Sequence, residues 1–188
     1  MCSRFKTPEK PEDLIRRYGG EPTAAAPAVL ETFPGRTARV VRREAGTRRL
    51  TAMAWGFPPP ANRRTPVTNV RNLESPFWRD ILARPECRCL VPVTAFCEWQ
   101  ATAGKKLPRW FSVPSLAVFS FAGIWRPTPA GRVYAFLTCA PNALVAPIHP
   151  KAMPVILRPG DEDRWLCGGP DDLPALAVPF PPEMMAVE

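Results

Sequence analysis

The chain has 188 residues, 46% apolar and 22% charged, which fits one domain able to bury a core and excludes low-hydrophobicity disorder. Its 25 cations outnumber its 17 anions, a formal +8, and 20 of the cations are Arg. Pro accounts for 26 residues, well above the usual level of about 5%; lacking an N–H, it breaks helices and central strands, so short elements and many loops are expected.

No apolar run reaches the roughly 18 residues of a membrane helix. The start, Met1-Cys2-Ser3-Arg4-Phe5-Lys6, has no apolar stretch behind its charges, so a secretory signal is not expected. The six cysteines are therefore expected as reduced thiols in a cytoplasmic protein. The Arg excess has two readings: codon bias of a GC-rich genome, or phosphate contacts, for which the guanidinium fork is suited.

In chain order, Pro11 to Tyr18 predicts a short helix, with Pro and acids in its first turn and Gly19-Gly20 as its stop. Glu21 to Gly35 reads as loop. Thr37 to Arg43 and Arg48 to Trp55 read as strands joined around Ala45-Gly46. Asn72 to Arg84 predicts a helix, with Ser75-Pro76 opening it and Trp78, Ile81 and Leu82 on one face. Cys89 to Trp99 is apolar at both parities and predicts one strand buried on both sides. Arg109 to Val113, Leu116 to Trp125 and Arg132 to Thr138 read as further strands, Ala152 to Leu157 as a short one, and Asp161 to Cys167 as a helical turn or two. The fold class expected is α+β: a single domain over 1–188, mainly antiparallel sheet with peripheral helices.

Four places carry candidate chemistry. His149, the chain's single histidine, is braced by Pro147 and Pro150 on a loop before an apolar strand; a lone His is more often structural, but rigid loops are where sites lie. Glu98 ends the doubly apolar strand, where desolvation would raise its pKa and suit it to proton transfer; the alternative is an ion pair with one of the arginines. Asn69 and Arg71 place an amide and a guanidinium fork before the Asn72 helix, although Asn69 also suits a cap or turn. Cys2, if Met1 is removed, puts a thiol and an α-amine on one carbon. An α-amine of pKa about 7.7–8.0 is partly neutral at pH 7, and such an aminothiol closes a thiazolidine ring on aldehydes. Cys87-Arg88-Cys89 with Cys97, Cys139 and His149 has the wrong pair spacing for a zinc site. Cys97, Cys139 and Cys167 are expected in the core.

Together, Met-Cys-x-Arg-Phe at the start, Trp55-Gly56-Phe57-Pro58, Asn69-Val70-Arg71, Arg88-Cys89-Leu90-Val91-Pro92 through Phe96-Cys97-Glu98-Trp99, and Ile148-His149-Pro150-Lys151-Ala152-Met153-Pro154 to Leu157 resemble the SOS-response-associated peptidase (SRAP) family. The resemblance implies the family's α+β fold around a curved, barrel-like antiparallel sheet. It also implies an abasic-site sensor of single-stranded DNA that crosslinks the ring-opened sugar as a thiazolidine, with self-processing and crosslink-reversal activity. By the same resemblance Cys2 is the nucleophile, Asn69 positions its amine or thiol, Glu98 shuttles protons, and His149 assists imine formation and ring opening. Arg4, Trp55, Arg71 and Lys151 would line the DNA groove, with Trp55 and Phe57 stacking on bases. A monomer without metal, cofactor or membrane partner is implied, nucleoid-associated when bound to DNA. The chain departs from the family pattern at Ser3, at Cys97, at Lys151-Ala152, and in the stretched run Asn69 to Glu74. Two other readings compete: a cysteine peptidase on protein substrates, with His149 as base, and a non-covalent single-strand binder.

Overall fold

A computed structural model describes residues 2–22, 30–61 and 64–188 of the chain. Met1 and the 23–29 part of the expected loop lie outside the described residues. The strands are β1 (Arg4–Lys6), β2 (Glu21–Pro22), β3 (Glu31–Thr32), β4 (Thr37–Glu44), β5 (Thr47–Trp55), β6 (Asn69–Val70), β7 (Arg88–Val93), β8 (Ala95–Thr102), β9 (Lys105–Ser112), β10 (Phe119–Thr128), β11 (Gly131–Cys139), β12 (Met153–Pro154), β13 (Ile156–Leu157) and β14 (Ala186–Val187). The helices are α1 (Pro11–Tyr18), α2 (Pro76–Leu82), α3 (Glu162–Cys167) and α4 (Leu173–Leu176).

Local chemistry accounts for the elements that match expectation. In α1, Pro11 occupies the first turn with Glu12 and Asp13, and Gly19, at φ 66°, donates its N–H to Ile15 O to stop the helix. The β4–β5 hairpin turns on Ala45 (φ 48°) and Gly46 (φ 81°), the two positive angles a two-residue turn needs to follow the strands' twist.

β11, β10, β7, β4 and β5 follow one another in a sheet, and β11 also pairs with β5, Tyr134 opposite Trp55, so the sheet closes on itself. A smaller sheet has the order β14-β9-β8-β1-β3. Pairing is antiparallel except where β5 and β6 meet β11 and β2 meets β5. The expected barrel-like, mainly antiparallel α+β fold is the observed one.

Two apolar layers follow from alternation along the strands. On one face of the closed sheet, Val41, Leu90, Ile124 and Ala135 pack with Leu14, Trp78, Trp165 and Leu176 of the helices. On the other, Val40, Trp55, Val91, Phe121 and Phe136 pack with Phe5, Phe96 and Phe111 of the small sheet. Arg88, fully buried, ties this frame to its helices: its guanidinium donates to Leu82 O at the end of α2 and to Trp165 O and Gly168 O at the end of α3.

Some expectations need correction. The strand expected over Cys89 to Trp99 is two strands in different sheets: Thr94 N donates to Lys6 O (2.9 Å), and the chain leaves β10's side to pair with β1 and β9. The helix expected within Asn72 to Arg84 opens at Ser75-Pro76 as expected, Ser75 accepting from Phe77 N as the cap; Asn72 Oδ1 accepts from Glu74 N in a turn ahead of it, and the helix ends at Leu82 rather than Arg84. Ala152 to Leu157 splits into β12 and β13, pairing with β11 and β10 respectively. Cys167 is exposed rather than in the core, its sulfur against Arg43.

Candidate active site

Four segments far apart in sequence bring the candidate residues together. β1 runs antiparallel to β8 with Arg4 opposite Cys97, so the residues just before β1 lie alongside Glu98. Cys2 is 1% exposed, and its thiol donates to Arg4 O at 3.4 Å. Asn69 sits in β6, held against β11 with Phe136 opposite, and its Nδ2 donates to Cys2 O at 3.2 Å and to Thr68 Oγ1 at 2.8 Å. Its buried Oδ1 has no hydrogen-bond partner among the described residues. His149, on the connection between β11 and β12, brings Nδ1 to 3.7 Å from Glu98 Oε2.

The electrostatics are those of a dry pocket. Burial raises the Glu98 carboxyl from an ordinary 4.5 to about 7. Burial first, and the Glu98 charge second, push the Cys2 thiol well above its usual range. Burial lowers the His149 imidazole, and the positive amino terminus, Lys151 and Arg71 lower it further. With the Glu98 carboxyl raised to about 7 and the His149 imidazole lowered below its ordinary 6.5, a proton shared by the two rests on the carboxyl, so that near neutrality an acid stands in near contact with a neutral base.

The residues expected to line a DNA groove divide. Arg71 and Lys151 are exposed, and their charges act on His149. Arg4 is half-buried and engaged: Nε donates to Glu31 Oε2 at 2.8 Å, and the guanidinium lies over the Phe33 and Trp110 rings. Trp55 and Phe57 are fully buried and have no face to offer a base. Trp55 is instead a wall of the site. It stacks on Phe136 (centroids 5.1 Å), meets Phe5 edge-on, and donates Nε1–H to Thr68 O at 3.0 Å, fixing the backbone that presents Asn69.

One supporting residue escaped sequence reading. Asn142, buried at the start of the His149 connection, accepts from Leu144 N and Val145 N with its side-chain oxygen. Its position just after Pro141, opening a loop, is the signal of such a turn. No group of three or more His, Cys, Asp and Glu side chains placed to hold a metal ion is found among the described residues. No helix among them is long and apolar enough to cross a membrane.

The chain is 28% identical to the abasic site processing protein YoaM of Bacillus subtilis, over 96% of this chain and 86% of the relative. A crystal structure of a Bordetella bronchiseptica protein superposes with a TM-score of 0.83 at 23% identity, covering 99% of this chain and 98% of that one. One from Bacteroides thetaiotaomicron superposes at 0.84 with 21% identity, covering 99% and 90%. These two share the fold. Residues 1–188 match the family described as SOS response associated peptidase (SRAP), and the chain belongs to that family.

Proposed function

We propose that this protein processes abasic sites in single-stranded DNA by covalent capture through Cys2, once Met1 has been removed. The observation that carries the reading is the meeting of Cys2, Asn69, Glu98 and His149 in one desolvated pocket. A relative whose name states abasic site processing supports it.

The chemistry follows from the groups present. His149, neutral, takes the anomeric hydroxyl proton and delivers it to the ring oxygen as that C–O bond breaks and the sugar opens to its aldehyde. The Cys2 amine, held by the open Oδ1 of Asn69, attacks the aldehyde carbon to give a carbinolamine. Glu98, half protonated near pH 7, gives its proton to the departing hydroxyl; water leaves and a protonated imine forms, its nitrogen keeping its hydrogen. The Cys2 thiol then adds: its proton returns to the Glu98 carboxylate, the C–S bond forms, and the C=N electron pair passes to the nitrogen, leaving a neutral ring N–H. One water is lost overall and no redox partner is needed. Reversal runs the same steps backward through Glu98. Arg71 and Lys151 meet the backbone phosphates flanking the lesion.

A thiolate-first peptidase is the poorer reading, because burial and the Glu98 charge both keep the Cys2 thiol protonated. The test is a denaturing gel after incubation with an abasic oligonucleotide. The wild type forms a heat-stable adduct; Cys2→Ser, or an uncleaved tag that blocks the amine, abolishes it. Equal yield with the amine blocked refutes the thiazolidine step.

A further inference from the structure

The connection from β11 to β12 that carries His149 contains no helix or strand of its own. What orders it is Asn142. Oδ1 accepts from Leu144 N (3.1 Å) and Val145 N (3.0 Å), and its carbonyl accepts from Ala146 N (2.9 Å). Val145 O then accepts from Ile148 N (3.0 Å) and His149 N (2.8 Å), so two successive turns run from Asn142 to the histidine. The other half of the amide faces away from the loop. Nδ2 donates to Phe180 O (2.7 Å) and lies 3.1 Å from Met185 Sδ, both from the C-terminal segment.

That segment continues to the opposite side of the site. After Met185 it forms β14, antiparallel to β9 with Val187 opposite Phe111, and Glu188 and Trp110 exchange two backbone hydrogen bonds of 2.9 Å. β9 in turn pairs with β8, placing Arg109 opposite Glu98. One path of hydrogen bonds therefore links the His149 loop, through Asn142 and the C-terminal segment, to the strand carrying Glu98. Phe180 and Met185 are buried and anchor the segment, while Glu183, Met184 and Glu188 are exposed.

We propose that the C-terminal segment from Phe180 to Glu188 is a strap that holds His149 against Glu98, and that Asn142 is the positioning residue that clasps it. This rests on the reading of Glu98 and His149 as the proton-transfer pair. The strap sets their 3.7 Å separation; it touches no substrate.

Two variants separate the clasp from general damage. Asn142→Asp keeps acceptors for Leu144 N and Val145 N but cannot donate to Phe180 O. Truncation after Met185 removes β14 and leaves Asn142 intact. Because His149 is the chain's single histidine, its imidazole gives one unambiguous NMR titration. The charges facing it are Glu98 on β8, Arg71 after β6, Lys151 on its own loop and the amino terminus. In wild type the midpoint lies below the ordinary 6.5. In both variants it rises toward that value as the ring gains solvent, and the crosslinking rate with abasic single strands falls about tenfold or more. Affinity for intact single strands stays within about twofold. Unchanged titration and unchanged rate in either folded variant overturn the strap. If the wild type forms no adduct, the capture reading fails, while the titration alone still decides the strap.

Discussion

Glu98→Gln tests whether the carboxylate is kept at a cost to the fold. The side chain is 2% exposed, and burial lifts its pKa from 4.5 to about 7. A raised pKa means the native state binds the proton more tightly than the unfolded chain. The stabilisation is complete below the ordinary value and is lost as pH rises through about 7. At about 1.4 kcal/mol per unit, a rise of about 2.5 units corresponds to roughly 3 kcal/mol lost by alkaline pH. Gln has nearly the same shape and no titration. Glu98→Gln is therefore expected to equal wild type in stability near pH 4.5 and to exceed it by about 3 kcal/mol at pH 8.5, measured by urea denaturation. The same variant forms and reverses the adduct at least about tenfold more slowly while binding intact single strands normally. A variant less stable than wild type at pH 8.5 would mean that Glu98 is an ion-pair partner whose charge the fold needs, and the reasoning fails.

Two further outcomes follow from the frame and its charge. Arg88→Met leaves the carbonyls of Leu82, Trp165 and Gly168 without their donor, so it should cost about 3 kcal/mol or more in urea denaturation; wild-type stability would show those carbonyls are otherwise satisfied. If about four cations, Arg71 and Lys151 among them, meet phosphates, log affinity for single strands should fall against log salt with a slope near −2.8. A slope near zero would leave the +8 without a role in binding.

Legibility in the sequence followed local signals. Pro11, the acids and Gly19 marked α1, and Ala45-Gly46 marked the hairpin, because caps and tight turns are decided by a few adjacent residues. The break at Thr94 was not legible: the change of sheet is made by a hydrogen bond to Lys6 O, a long-range partner, within an unbroken apolar run. β1 and β6 are too short to show a period, yet they deliver Cys2 and Asn69 to the site. Motif resemblance named Cys2, Asn69, Glu98 and His149, while their meeting depends on pairings no spacing reveals. Trp55 misled because an aromatic in a motif reads equally as platform or wall, and only its stacking on Phe136 distinguishes them. Asn142 was overlooked because its partners Phe180 and Met185 come from the far end of the chain.

The most direct measurement of the central claim is the intact mass of the product formed with an abasic single-stranded oligonucleotide. The mass expected is that of the chain lacking Met1 plus the oligonucleotide, less one water, unchanged by borohydride because a thiazolidine has no C=N bond. Peptide mapping should put the modification on Cys2. A product that still carries Met1, or one that gains two hydrogens with borohydride and maps to a lysine, would contradict it.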